Sequence, residues 1–352
     1  MNLWNSEKPF PVFEELSYAP HTEYRNPHTF SEDGYHFLLG AAVIKHKGIL
    51  RVSFAHSLRT ENDDCTRLEE KLSLDDGKTW TENVIAETEN GYGRSHGVYF
   101  PHGDDLYVFC PRARYDKIDR YPDLKMELYR LNEIGKYELL GIALDKDFWP
   151  MCQPIALDNG TFLMAGLKTE DGTAAIALSE GEDITKWRMI SLPNPQNFRY
   201  WGETTVLKQK DRLVAIVRNS GRIRNLLVSE STDHGKTWSG LTESNFPASH
   251  SKVYAGVLSN GLSYIAFNMR DRGQGNTADI CRDTLAIATG KDGFEKVYLL
   301  RDGFDAPPHY WRYNEWCYPY AYEDAENGKL YVAYAKNKEN CELAVLSIKD
   351  FE

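Results

Sequence analysis

The chain has 352 residues, a hydrophobic content ordinary for a globular protein and a formal net charge of −11 at pH 7. The acidic balance, without a basic stripe, argues against a nucleic-acid surface, and no apolar run approaches the roughly 18 residues that a membrane span needs. The first residues, Met1 to Glu7, have neither the basic start nor the apolar stretch of a signal peptide, so we expect a cytoplasmic protein that contacts neither nucleic acid nor membrane.

The predicted strands follow one another in six similar units. Each unit contains an apolar segment that runs into a polar end and that follows a shorter strand across a turn such as Asp158–Gly160. The six segments, in chain order, are 49–54, 106–110, 161–165, 213–217, 262–267 and 330–334. An outer strand follows several of them, so strand, hairpin, strand and strand form one repeating unit.

An eight-residue motif occurs twice, as Ser73–Trp80 (SLDDGKTW) and as Ser231–Trp238 (STDHGKTW). Its Ser and Asp side chains can satisfy turn amides, its Gly takes the positive φ of a tight hairpin, and its Trp covers the edge of a sheet. Weaker copies occupy Ser179–Trp187 and Ala288–Phe294, and the copies start about 53 residues apart or a multiple of that spacing. This period is typical of four-stranded propeller blades.

The sequence therefore predicts an all-β fold, a single six-bladed β-propeller domain over residues 1–352 with four antiparallel strands per blade. The last strand, at 342–348, has no downstream partner in its own blade, so we expect the N-terminal segment to pair with it and close the ring. A two-sheet sandwich is the alternative, but it does not require one period to persist along the whole chain.

The strand order also predicts which end of the propeller carries a site. In an antiparallel blade the start of the first strand and the end of the second lie at the same end of the sheet. The predicted first-strand starts carry Ser95 with His96, Gln153, Glu203, Tyr254 and Tyr318. The predicted second-strand ends carry Arg112, Lys168, Arg218, Arg270 and Lys336. A ring of cations suggests a carboxylate or sulfate ligand, and we expect an acidic glycan as the partner.

Aromatic residues near the same end are candidates for stacking on the apolar face of a sugar. They include the segment 309–320, with Trp316, and also Trp149 and Trp201. Packing between blades explains such aromatics equally well. The six cysteines, Cys281 among them, show no CxxC pair or zinc-finger spacing, so we expect buried free thiols, no metal and no cofactor.

These residues resemble the sialidase-like families with Asp-box (BNR) repeats, the Asp-box being the eight-residue motif above. In sialidases an early Arg, an acidic Asp, a Glu, two further Arg and a nucleophilic Tyr follow one another along the chain. The resemblance places these roles at Arg25 in the segment YRNP, Asp63 or Asp64, Glu203, Arg218, Arg270 or Arg272, and Tyr318. The Asp-box itself is shared with propellers that are not enzymes.

The resemblance implies an exo-acting glycosidase for a terminal acidic sugar. Glu203 would take the proton of Tyr318, whose phenolate would attack the anomeric carbon. A tyrosine nucleophile suits a substrate whose own carboxylate repels an acidic one. Three arginines would hold that carboxylate, and Asp63 or Asp64 would protonate the leaving oxygen.

Two other functions fit the sequence. Related propellers include uronate lyases and a rhamnosidase, and His96 with Arg112 and Tyr318 would suit β-elimination, with Arg neutralising the uronate and His or Tyr removing a proton. The third possibility is a propeller that binds a glycan or a protein without catalysis. The sequence does not give the sugar, its linkage or the oligomeric state.

Overall fold

The computed structural model describes residues 1–32, 34–61, 63–115, 121, 123–219, 223–269, 282–304, 307–310 and 314–351. These residues form six small antiparallel sheets, which are arranged as the blades of a six-bladed β-propeller. The predicted fold class is confirmed. The helices in the described residues are three short 3₁₀ turns, at Phe13–Glu15, Ala325–Asn327 and Ile348–Phe351.

The chain builds the blades in order, each from the axis outward. The N-terminal strand is β1 (Glu23–His28). Blade 1 contains β2 (Phe37–His46), β3 (Ile49–Ser57), β4 (Arg67–Ser73) and β5 (Thr81–Ala86). Blade 2 contains β6 (Gly93–Arg94), β7 (Val98–His102), β8 (Asp105–Ala113), β9 (Lys125–Leu131) and β10 (Tyr137–Leu144). Blade 3 contains β11 (Phe148–Pro150), β12 (Ile155–Ala156), β13 (Phe162–Lys168), β14 (Thr173–Glu180) and β15 (Asp183–Ser191).

The remaining blades follow the same plan. Blade 4 contains β16 (Tyr200–Lys208), β17 (Leu213–Asn219), β18 (Asn225–Ser231) and β19 (Thr242–Pro247). Blade 5 contains β20 (Tyr254–Val257), β21 (Ser263–Asn268), β22 (Thr284–Gly290) and β23 (Lys296–Asp302). Blade 6 contains β24 (Trp316–Asp324), β25 (Lys329–Lys336) and β26 (Asn340–Ser347), with β1 as its outermost strand.

The N-terminal strand closes the ring as predicted. β1 pairs antiparallel with β26, and Tyr24 lies opposite Ala344. The six apolar segments found in the sequence are the second strands β3, β8, β13, β17, β21 and β25. Alternating side chains of these strands pack between neighbouring blades into one large apolar core, and a second cluster joins blades 4 and 5 to Leu3 and Trp4. Burial of this surface stabilises the ring.

The innermost strands are irregular at one common level. β2, β16 and β24 each shift register, between Leu39 and Ala42, between Tyr200 and Thr204, and between Cys317 and Tyr320. In blades 2 and 3 the innermost strand is instead split in two, between β6 and β7 and between β11 and β12. Bulges and breaks turn a side chain out of the regular alternation of a strand. Side chains at this level therefore point in directions that a regular strand would not give them.

Candidate active site

We call the end of the propeller that holds the β3–β4 and β25–β26 connections the mouth, and the opposite end the Asp-box end. The centre of the mouth-side site is the pair Glu203 and Tyr318, which the irregular parts of β16 and β24 carry. The Tyr318 hydroxyl lies close enough to the Glu203 carboxylate to lower the pKa of that carboxylate. Both side chains are buried, at 3% and 8% exposure. The two residues lie 115 positions apart in the chain, so only the closed ring brings them together.

Two guanidinium groups flank this pair. Arg218, in β17, donates from Nη1 to Glu203 Oε2 at 2.6 Å. The Arg282 guanidinium carbon lies 5.8 Å from the centre of the Tyr318 ring, and its Nη1 donates to Glu315 Oε2 at 2.8 Å. Both arginines are buried, and each also has an Nε atom without a hydrogen-bond partner among the described residues. The site thus contains buried positive charge and two Nε–H donors without partners, and both features favour an anionic ligand.

A layer of charges lies above Tyr318. Lys338, in the connection from β25 to β26, places Nζ 5.7 Å from the centre of the Tyr318 ring and 3.5 Å from Glu315 Oε1. It also pairs with Glu61, which extends from the β3–β4 connection of blade 1. Blades 1, 5 and 6 are therefore joined across the mouth by alternating positive and negative side chains.

The charges explain the protonation states of the pair. Burial alone would raise the pKa of Glu203, but Arg218, Arg282 and the Tyr318 hydroxyl together hold it below its ordinary value. Burial and the nearby Glu203 carboxylate raise the pKa of Tyr318 well above that of free tyrosine. The resting state is therefore an ionised Glu203 beside a neutral phenol.

His96 lies at the same level, where the first strand of blade 2 is split. Its ring centre is 6.0 Å from that of Tyr318 and 4.9 Å from that of Trp149, and neither ring nitrogen has a hydrogen-bond partner in the described chain. A Cβ on Gly40, in the bulge of β2, would lie 2.1 Å from the ring. Burial and the charge of Lys252 lower the pKa of His96 to about 3, so the imidazole is neutral near pH 7.

Several predicted site residues lie elsewhere. Arg25 packs against the Asp-box turn, where its Cγ would be 3.0 Å from a Cβ on Gly77, because β1 is the outermost strand of blade 6 and its middle faces blade 1. Trp316 is buried between blades 5 and 6, with Nε1 donating to the Gly303 carbonyl at 3.0 Å. The structure corrects both assignments, since side-chain direction rather than strand position decides what reaches the axis.

The cations of blades 2 and 3 also have other partners. Lys168 pairs at 2.9 Å with each of the exposed carboxylates of Glu170 and Asp171. The Arg112 guanidinium lies 4.0 Å above the Tyr92 ring and 3.8 Å from Glu127, within its own blade. Both contribute to the surface and edge of their own blades, and the structure does not bring them to Tyr318.

Two further predicted residues lie close to the axis without touching the pair. Trp201 packs with Trp149, Tyr121 and Met151 in an apolar cluster beside His96. Gln153 lines a cavity of about 380 Å³ together with Lys208 and Glu323, at the Asp-box ends of their strands. Gln153 is therefore in the channel but nearer to the opposite opening. Arg270 and Arg272 lie outside the described residues.

The two candidate acids lie in the β3–β4 connection. Burial would raise the pKa of Asp63, but hydrogen bonds from Arg59 and Cys65 outweigh it and hold the pKa well below the ordinary value. Asp63 is thus held as a carboxylate and is unsuited to donating a proton. Asp64 is exposed and also contacts Arg59. These two residues and Cys65 have the spacing of metal ligands, but the Arg59 guanidinium occupies both carboxylates.

Sequence reasoning missed several residues of the site. They are Glu61, His250, Lys252, Arg282, Glu315 and Lys338. The prediction considered first-strand starts and second-strand ends only. Third-strand starts lie at the same end of an antiparallel blade, and Arg282 comes two residues before β22. Applying the rule to every strand end would have found it.

Comparisons with known proteins agree with this architecture. The family model described as BNR repeat-like domain matches residues 150–332, and the chain belongs to that family. No curated protein sequence matches the chain. Among solved structures, a protein of unknown function from Dyadobacter fermentans is similar at a TM-score of 0.70 and 15% identity, with 94% of this chain and 100% of that chain covered.

Two enzymes are also among the similar structures. Trypanosoma rangeli sialidase in complex with the inhibitor DANA gives a TM-score of 0.67 at 16% identity, with 94% of this chain covered; the chain spans 60% of that protein's length. The intramolecular trans-sialidase from Ruminococcus gnavus gives 0.67 at 11% identity, with 92% and 97% of the two chains covered. At such identities the similarity establishes the sialidase-like fold alone. In the described residues, none of the helices is long and apolar enough to cross a membrane.

Proposed function

We propose that this protein is a glycosidase that releases a terminal acidic sugar, with Tyr318 as nucleophile and Glu203 as its base. The observation that carries the proposal is that the buried Tyr318 phenol lies beside the buried Glu203 carboxylate, flanked by Arg218 and Arg282. A phenol is a weak nucleophile unless an adjacent base removes its proton. Tyr318 and Glu203 supply these two groups side by side.

The chemical step follows from the two protonation states. As the phenol oxygen bonds to the anomeric carbon, its proton passes to Glu203, and the glycosidic C–O bond breaks with its electron pair leaving on the aglycone oxygen. Because the pKa of Tyr318 is raised, proton transfer and attack must occur together. Water then attacks the anomeric carbon and gives a proton to the carboxylate that had protonated the aglycone oxygen. The C–O bond to Tyr318 breaks, Glu203 returns its proton to the phenolate, and the sugar is released.

The charge around the pair favours one substrate carboxylate. Among the residues that the structure describes, four cations and three carboxylates make up this group: Arg218, Lys252, Arg282, Lys338, Glu61, Glu203 and Glu315. With Lys252 charged, the group carries one net positive charge in a buried setting. A monoanionic sugar would neutralise it and would accept from the unused Nε donors of Arg218 and Arg282.

In this proposal a carboxyl group of the β3–β4 connection protonates the leaving oxygen. Asp64 is the exposed carboxyl there, and Glu61 reaches over Tyr318 while paired with Lys338. Asp63 is excluded from this role because Arg59 and Cys65 keep it ionised. Replacing Asp64 and Glu61 separately by Asn and Gln, and comparing substrates with good and poor leaving groups, assigns the acid: loss of the acid spares the good leaving group.

The test uses fluorogenic sialosides and a fluorinated acidic sugar that traps a glycosyl-enzyme. We expect turnover of the sialoside, a mass increase of one sugar on the intact protein, and its location on Tyr318 by peptide mapping. Tyr318→Phe should lose both signals. Tyr322→Phe is the matched control, because Tyr322 lies in the same strand and donates to the Lys45 carbonyl at the Asp-box end. Labelling of another residue, or unchanged turnover in Tyr318→Phe, would overturn the proposal.

A uronate lyase is the second candidate, and the neutral imidazole of His96 beside Tyr318 is the observation that favours it. The lyase prediction also requires Arg112, which lies in blade 2 with Tyr92 and Glu127. Incubation with oligo-uronates separates the two functions, since only elimination creates an unsaturated, ultraviolet-absorbing product. Binding of either glycan without turnover would indicate the non-catalytic alternative.

A further inference from the structure

Tyr318 has a strained backbone. Its φ is 56°, in the left-handed region that a bulky aromatic residue rarely adopts, and it lies in the register shift of β24 between Cys317 and Tyr320. Such conformations persist only where the surroundings impose them. The strain turns Tyr318 out of the strand alternation and towards Glu203, so the contacts that hold this bulge determine the geometry of the pair.

A buried lysine of the neighbouring blade makes one of these contacts. Lys252, just before β20, is 3% exposed, and its Nζ donates to the carbonyl of Pro319 at 2.8 Å. Pro319 follows Tyr318 directly, so this hydrogen bond fixes the C-terminal side of the bulge. The ammonium lies between the rings of Tyr254 and Tyr320, with Nζ 5.4 and 5.8 Å from their centres.

A second side chain of blade 5 holds the other side of the bulge. Asn268, which is fully buried at the end of β21, donates from Nδ2 to the Trp316 carbonyl at 2.8 Å and to the Thr284 carbonyl at 3.1 Å. The segment from Trp316 to Pro319 is therefore attached to blade 5 at both of its ends. Tyr318 lies between the two attachments.

We propose that Lys252 is a positioning residue, which holds the strained bulge of β24 so that the Tyr318 hydroxyl stays on Glu203. The proposal rests on the proposed function of that pair. Lys252 donates to the backbone carbonyl next to Tyr318, so its effect on kcat acts through the position of Tyr318, whereas its charge contributes to the positive potential that attracts the substrate. Burying a charge to hold one carbonyl is costly in stability, which fits a residue kept for geometry.

The experiment compares Lys252→Met, which keeps the length and removes the donor, with Lys252→Gln, whose amide can still donate to the Pro319 carbonyl. We expect kcat of Lys252→Met to fall about 10- to 100-fold, since displacement of a reacting group by about 1 Å costs that order. KM should rise to the same extent in Lys252→Met and Lys252→Gln, because both substitutions remove the positive charge. Lys252→Gln should recover most of the loss in kcat. Lys71→Met, at a buried lysine of blade 1 paired with Glu82, is the control for removing a buried ammonium.

Crystal structures of the variants give a readout that needs no substrate. We expect Lys252→Met to lose the positive φ of Tyr318 and its contact with Glu203, and Lys252→Gln to keep both. An unchanged Tyr318 in Lys252→Met, full kcat in that variant, or a rise in KM alone would overturn the inference. If Lys252→Met does not fold, Asn268→Ala, which releases the other end of the bulge, is judged by the same criteria. Full activity of Tyr318→Phe would instead overturn the proposed function.

Discussion

Within the second Asp-box turn, polar groups find partners two to four residues away, whereas around Tyr318 at the mouth their partners come from distant parts of the chain. In the second Asp-box, the Thr237 amide donates to Asp233 at 2.9 Å and the Gly235 amide donates to Ser231 at 2.9 Å. At the mouth, Arg282 pairs with Glu315, 33 positions on, and Lys338 pairs with Glu61 across the ring.

Buried polar atoms without partners occur at both ends of the described chain, and at the Asp-box end they include Nε1 of Trp80 and Nε of Arg25. Buried polar atoms near the mouth lack hydrogen-bond partners in the described chain, and they include both ring nitrogens of His96, Nε of Arg218, Nε of Arg282, Nε2 of His250 and the Ser251 hydroxyl. Buried polar atoms are normally paired, by protein or by a bound molecule. The hydrogen-bonded Asp-box turns therefore stabilise the fold, while the unpaired donors and acceptors near the mouth are available to a ligand.

Replacement of Glu203 should give the largest effect and tests whether the mouth is the functional end of the propeller. We expect Glu203→Gln to lower kcat about 10²- to 10⁴-fold, because a general base contributes that order and the amide cannot take the Tyr318 proton. Glu127→Gln is the matched control, since Glu127 forms a buried pair with Arg94 in blade 2, with Nε and Oε2 3.1 Å apart. Equal losses in the two variants, measured with a fluorogenic sialoside, would mean that any buried ion pair matters equally.

A weaker effect is expected from the Arg282–Glu315 pair. The double variant Arg282→Met with Glu315→Gln avoids an unpaired buried charge. We expect kcat/KM to fall about 10- to 100-fold, since a charge-assisted hydrogen bond contributes about 1.5–3 kcal/mol and about 1.4 kcal/mol is tenfold. Arg301→Met with Glu342→Gln removes a similar pair, 2.6 Å apart, between blades 5 and 6. This control should keep kcat/KM near wild type; if it does not, Arg282 acts through the blade interface.

We expect substitution of a histidine at the mouth and of one at the Asp-box end to affect the pH dependence of the free energy of unfolding differently. The pKa of His96 is lowered to about 3 in the folded protein and is about 6.5 when unfolded, so unfolding takes up a proton in between. The fold therefore loses stability as pH falls from about 6.5 to 3. We expect His96→Gln to flatten this part of the curve, measured as denaturant midpoints at three pH values. His234→Asn, in the exposed Asp-box turn, should leave the slope unchanged; equal slopes for wild type and His96→Gln would contradict a neutral buried His96.

The smallest effect is expected at the Asp-box. Hydrogen bonds from Thr237 and Ser231 outweigh the effect of desolvation and lower the pKa of Asp233 to about 2. Its contribution is therefore present above the unfolded pKa of about 3.9 and is lost as pH falls towards 2. We expect Asp233→Asn to lower the free energy of unfolding by only about 0.5–1 kcal/mol at pH 7, because the group is largely exposed, with unchanged kcat. A loss of activity would show that the two ends are coupled.

The fold was predictable from the amino-acid sequence. The six units, the closure by β1 and the mouth as the candidate end followed from strand periodicity and turn chemistry, which depend on neighbours a few positions apart. Glu203, Arg218 and Tyr318 followed from their places at strand ends. Their mutual contact could be predicted because a propeller brings corresponding positions of all blades to one axis.

Only the tertiary structure decided which cations reach the axis and how Tyr318 is aimed. Arg25 and Arg282 are both arginines in or beside strands, but Arg25 packs on an Asp-box turn and Arg282 faces Tyr318. Register shifts reverse the alternation of side chains, and contacts between blades select among the available partners. The role of Lys252 could not be predicted from the sequence either, because the sequence shows only a lysine before a short strand. Its hydrogen bond to the Pro319 carbonyl forms only in the closed ring.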